Sequence, residues 1–115
     1  MVNKSKAKGT AAETAIANCL TEENIPAHRN ALSGSADIGD ISVWDGEITI
    51  EVKNEKRMAL SEYVDEANKE KDNAKSWLGV AWHKRRGCTD PRRWYVTMDG
   101  ESFIKIIKEL KTAYS

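Results

Sequence analysis

Asp40, Glu51 and Lys53 are the residues of this chain whose types and spacing could do chemistry together. Ile41, Val43, Ile48, Ile50 and Val52 are apolar at every second position on either side of Asp45-Gly46, a dipeptide favoured in two-residue hairpin turns. Such a turn sets the register: Trp44 faces Glu47, Ser42 faces Thr49, and Asp40 faces Glu51 on the same sheet face, with Cβ atoms about 4.5–5.5 Å apart. Lys53 lies two residues past Glu51, so alternation turns it to that face as well. Opposed like charges are destabilising, and a divalent cation removes the objection. Magnesium takes one or two carboxylates and completes its shell with water and phosphate oxygens. This inventory suits phosphodiester hydrolysis, in which the metal polarises the phosphate and acidifies the attacking water while a lysine stabilises developing charge. A solvated hairpin face carrying weak surface salt bridges would account for the same three residues.

The rest of the pattern supplies elements to position them. Thr10-Ala11-Ala12-Glu13 reads as a capping box, and Ala12, Ala15, Ile16, Cys19 and Leu20 form an apolar stripe, which predicts a first helix over about 11–24. Pro26 ends it, an extended piece follows over about 27–31, and Ser33-Gly34-Ser35 makes a loop. The hairpin strands span about 40–44 and 47–53. Leu60, Tyr63, Val64 and Ala67 mark a second helix, with Glu62, Asp65, Glu66, Glu70 and Asp72 assigned to its opposite face. Strands over about 77–82 and 93–98 follow, then a helix whose stripe is Phe103, Ile104, Ile107 and Leu110. The order α-β-β-β-α-β-β-α predicts an α/β fold with three layers around a mixed sheet.

A length of 115 residues fits one domain over 1–115, with basic residues 1–9 as a flexible arm. The 40% hydrophobic and 31% charged content is that of a globular protein. No apolar run approaches a membrane span and no signal-peptide pattern opens the chain, so a cytoplasmic protein is expected. Cys19 and Cys88 make neither a disulfide framework nor a zinc spacing. Net charge is zero, from 18 basic and 18 acidic residues, but the basic ones cluster at Lys4, Lys6 and Lys8, at Lys56-Arg57, and over Lys84-Arg85-Arg86 and Arg92-Arg93. One basic face on a neutral protein would bind phosphates without reading sequence. His28 and His83 read as ordinary polar residues, and the tryptophans as core or interface.

Ser35-Ala36-Asp37-Ile38-Gly39-Asp40-Ile41, the hairpin, and then Ile50-Glu51-Val52-Lys53 resemble the signature of the PD-(D/E)XK nuclease superfamily, with Gly39 where that signature has proline. Upstream, Lys8-Gly9-Thr10 with Glu13, then Arg29 and Ser33-Gly34, resemble the N-terminal part of archaeal and phage Holliday-junction resolvases. The resemblance implies a restriction-endonuclease-like core and a magnesium-dependent DNA endonuclease, manganese substituting. It implies Asp40 and Glu51 as metal ligands with the Val52 carbonyl, Lys53 as the catalytic lysine, and Glu13 as the helix-borne acid that completes the site and can join the ligands. Arg29 and Ser33 would meet the scissile phosphate. Branched DNA, four-way junctions first, would be the substrate, and paired incision implies a homodimer. Flap, single-strand or restriction-type nucleases, and a DNA-binding module without activity, are the rival readings. Asp37 competes with Asp40 for the motif acid, and strand parity favours Asp40 because Asp37 would point away from Glu51.

Overall fold

The computed structural model describes residues 4–31 and 37–114, with side chains from residue 7 onward. Helix α1 (Lys4–Glu22) leads to strands β1 (Ala27–Arg29), β2 (Ile41–Val43) and β3 (Ile48–Lys53), helix α2 (Leu60–Ala74), strands β4 (Leu78–His83) and β5 (Tyr95–Thr97), and helix α3 (Gly100–Ala113). The chain is therefore α/β, with a five-stranded mixed sheet in the order β1-β2-β3-β4-β5. Among the described residues no helix is long and apolar enough to cross a membrane.

In α1, Ala12, Ile16, Cys19 and Leu20 recur at helical spacing and are all buried. The helix begins at Lys4, well before the expected capping box, because the lysines and alanine upstream of Thr10 are themselves good helix formers. Thr10 is consequently an interior residue, and the basic segment expected as an arm is helical from Lys4 on. Asn24, at φ 60°, turns the chain out of the helix while the Ile25 N–H donates to the Leu20 carbonyl at 2.9 Å.

The hairpin has the expected register, Ser42 opposite Thr49. Asp45 (φ 57°) and Gly46 (φ 95°) supply the two positive φ values of a type I′ turn. Trp44 is also at positive φ, so the ladder closes at Val43 and Ile48 instead of continuing to Trp44 and Glu47. β3 pairs in parallel with β4 through the α2 crossover, and short β1 and β5, three residues each, form the two edges.

Alternation divides the sheet. Ile41, Val43, Ile50, Val52, Leu78 and Val80 meet α1 and Trp94 in the core. The opposite face carries Ser42, Thr49 and Glu51 with Gly79, Ala81 and His83, and α2 covers it. A Cβ on Gly79 would stand 2.5 Å from the Ala67 carbonyl oxygen, so the glycine lets α2 lie directly on β4. The polar hairpin face is thus buried, not solvated. Of α2, Tyr63, Ala67 and Glu70 point inward, and Glu70 is not on the solvent side as expected. With both faces of the central strands covered, α3 reaches the core only at its edge, through buried Ser102 and partly buried Ile106. The stripe of Phe103, Ile104, Ile107 and Leu110 that marks this helix in the sequence is 51–56% exposed.

Candidate metal centre

Parallel pairing brings the C-terminal ends of β3 and β4 together, with Lys53 beside His83. Glu51 and Lys53 follow Thr49 on the face under α2, so the helix decides their surroundings. The Lys53 Nζ lies 3.8 Å from Glu51 Oε1 and donates to Glu66 Oε2 of α2 at 2.8 Å. Burial alone would lower the Lys53 pKa, but the hydrogen bond and charge of Glu66, with the charges of Glu55 and Asp40, outweigh it and raise it. Lys53 is therefore held as a cation.

Asp40 stands just beyond the paired part of β2. Its N–H donates to the Ile50 carbonyl at 3.0 Å and its carbonyl accepts from the Asn30 N–H at 2.9 Å. Its Oδ2 accepts the Val52 N–H at 2.7 Å, in effect continuing the ladder with a side chain. Burial raises the Asp40 pKa against the lowering effect of that hydrogen bond, and the charge of Asp37 adds to the rise.

Asp37 is not turned away. One carboxylate oxygen each from Asp37, Glu51 and Glu70 lie within 4.8 Å of one another. Strand parity does not hold over residues 37–40, which are not extended: Gly39 is at φ 89°, a conformation open to glycine and closed to the proline of the nuclease signature. The Gly39 N–H donates to Asp37 Oδ1 at 2.9 Å, and the Asn73 side chain of α2 donates to the Asp37 carbonyl at 2.9 Å. The Asn30 amide holds the Gly39 carbonyl at 3.1 Å and Ser42 Oγ at 2.9 Å, fixing the turn to β1 and β2.

Glu70 was missed as a site residue. It is 2% exposed, and neither of its oxygens has a hydrogen-bond partner among the described residues. Burial first, then the charges of Asp37 and Asp40, push its carboxyl up to about 8. The signal was available, since Tyr63, Ala67 and Glu70 stand at i, i+4 and i+7, a single helix face.

Glu13 of α1 completes the acidic surroundings. Burial first, then the charge of Asp40, raises its pKa, and Arg29 approaches it at 3.7 Å. With Thr10 inside the helix, the capping-box explanation for Glu13 falls away. Exposed Lys56 and Arg57 emerge from the end of β3, and Arg85 and Arg86 from the end of β4, where the Lys84 N–H is bonded to the Lys53 carbonyl at 2.9 Å. These basic residues follow the strand ends that carry Lys53 and His83. Lys8 stands nearby, its carbonyl accepting from the Asn54 amide. Arg92 is engaged elsewhere, 3.1 Å from both Glu22 and Glu23 at the end of α1, while Arg93 is exposed. Ser33 lies outside the described residues, as do the side chains of Lys4 and Lys6. His83 is buried between Tyr63 and Tyr95, with Nε2 2.7 Å from Thr97 Oγ1, which is a packing role.

Comparison with protein-family models, with curated proteins and with solved structures finds no match to this chain.

Proposed function

We propose that this chain is a magnesium-dependent endonuclease of the PD-(D/E)XK type, with a restriction-endonuclease-like core, acting on branched DNA and above all on four-way junctions. The observation that carries this reading is Glu51 and Lys53, 3.8 Å apart at the end of β3, with Asp40 anchored on the Val52 N–H beside them. The donors assigned to the ion are carboxylate oxygens, the hard ligands that suit magnesium or manganese and not the softer metals. Asp40, Glu51 and the Val52 carbonyl would hold the ion, with Glu13 adjacent. A bound divalent cation supplies polarisation of a phosphoryl oxygen and acidification of water. Lys53 contributes a fixed positive charge where the phosphorane develops, and it can take a phosphate oxygen in exchange for Glu66, whose side chain is half exposed.

A cleavage panel of four-way, flap, duplex and single-stranded DNA, with and without magnesium, tests the reading. Magnesium-dependent cutting with the junction preferred is expected, and no cutting of any substrate overturns it. Lys53→Ala should slow single-turnover cleavage by about 10²- to 10³-fold with junction affinity nearly unchanged, since its charge acts on the transition state. Equal losses of rate and affinity would make it a phosphate clamp.

Positive residues at the ends of β3 and β4 imply steep salt dependence despite zero net charge. Replacing Lys56, Arg57, Arg85 and Arg86 with alanine should flatten the slope of log affinity against log salt by up to about 0.9 per lost phosphate contact. Arg92→Ala should leave the slope unchanged, because that guanidinium serves Glu22 and Glu23. Equal slopes for both variants would remove the strand-end loops from the DNA interface.

Paired incision of a junction requires two centres and hence a homodimer, for which the exposed stripe of α3 offers an apolar surface. Ile107→Asp should convert a dimer to a monomer in sedimentation velocity. An unchanged sedimentation coefficient would place the interface elsewhere.

A further inference from the structure

We propose that Asp37, Glu51 and Glu70 form a second divalent-cation site, sharing Glu51 with the centre above and binding an ion of magnesium, manganese or calcium size. It is carried by Glu70, a carboxylate buried under α2 whose two oxygens have no hydrogen-bond partner among the described residues and one of which lies within 4.8 Å of a carboxylate oxygen of both Asp37 and Glu51. A buried polar group with no partner is strongly disfavoured unless something supplies one. Among the described residues no donor reaches it, and Asp37 could bond to Glu70 only by sharing a proton with it.

The separations fit a cation. An ion about 2.1–2.5 Å from each ligand holds opposite oxygens about 4.2–5 Å apart, and the three oxygens here lie within 4.8 Å of one another. Gly39 lets the turn close against them: a Cβ there would stand 3.3 Å from Glu70 Oε2 and 2.5 Å from the Thr49 side chain. Asp37 is exposed and gives the ion a route in, while buried Glu51 and Glu70 close the inner side. Asp37 Oδ1 is taken by the Gly39 N–H, which leaves Oδ2 for a ligand.

The three donors come from three parts of the chain: the 37–40 turn, β3 and α2. Binding there would tie α2 to the sheet and fix the turn that carries Asp40, so the second ion would position a ligand of the first. In that respect the inference extends the nuclease reading, although cation binding itself does not depend on it.

Manganese titration followed by electron paramagnetic resonance, on the full chain without DNA, counts the ions directly. The wild type should bind two Mn²⁺, Glu70→Gln and Asp37→Asn one each, and Asp40→Asn one. Glu70→Gln keeps the shape of the neutral carboxyl and Asp37 is exposed, so both variants should fold, which near-ultraviolet circular dichroism would verify. Wild-type stoichiometry and affinity in both variants overturns the second site whatever the cleavage panel shows. A single wild-type ion that is lost in both variants and kept in Asp40→Asn upholds this site and removes the metal from the proposed nuclease centre.

Discussion

Glu51→Gln should reduce magnesium-dependent cleavage of a four-way junction by about a thousandfold or more, with junction affinity within about twofold of wild type. Glu51 is the carboxylate assigned to both proposed ion sites, with Lys53 at 3.8 Å and with Asp37 and Glu70 oxygens within 4.8 Å. Loss of metal-derived charge stabilisation is worth several kcal/mol, and each 1.4 kcal/mol is about a factor of ten in rate. Affinity should survive because phosphate contacts are assigned to Lys56, Arg57, Arg85 and Arg86, away from the carboxylates. Asp40→Asn should behave like Glu51→Gln. Asp37→Asn should lose activity that higher magnesium restores, since it weakens an ion whose role is to position Asp40. Single-turnover rates on one labelled junction separate the three, and near-normal turnover in Glu51→Gln would dismantle the assignment.

Glu70→Gln should stabilise the metal-free protein at pH 8–9 and leave it unchanged near pH 4. In the folded chain the Glu70 carboxyl is pushed up to about 8 from an ordinary 4.5. Between those values the native state holds a proton that the unfolded state has released, so stability falls as pH rises through the window and levels off above it. At about 1.4 kcal/mol per unit the whole fall is on the order of 5 kcal/mol, and glutamine, which never ionises, escapes it. Urea unfolding in EDTA across pH 4–9 gives the two curves. Parallel curves would mean that Glu70 is ionised in the native state. Adding manganese to the wild type at pH 8 should recover much of the lost stability, because the ion binds the carboxylate form.

The hairpin was legible because its pattern is local: alternation around Asp45-Gly46 is sufficient to pair Ser42 with Thr49, and the same count places Asp40 near Glu51. Lys53 followed by parity alone. Asp37 was misread because parity holds only for extended chain, and the reversal at Gly39 depends on Asn30 and Asn73, which are remote in sequence. Glu70 was assigned to solvent by its charge, although its spacing from Tyr63 and Ala67 placed it on the buried face. The exposure of α3 could not be read from its own stripe, which is apolar in the ordinary helical way. It depends on α1 and α2 having already covered the sheet. Likewise, the ion pairs that withdraw Arg92 involve Glu22 and Glu23, some seventy positions away.

Among the described residues both margins of the sheet are only three residues long. A foreign strand laid along β1 or β5 would gain a few backbone hydrogen bonds at most, and short edges are one of the means by which proteins resist templated growth. Aggregation of this protein under stress should therefore be amorphous and governed by side chains, above all those of α3, with little tendency to seed ordered fibres from the native state.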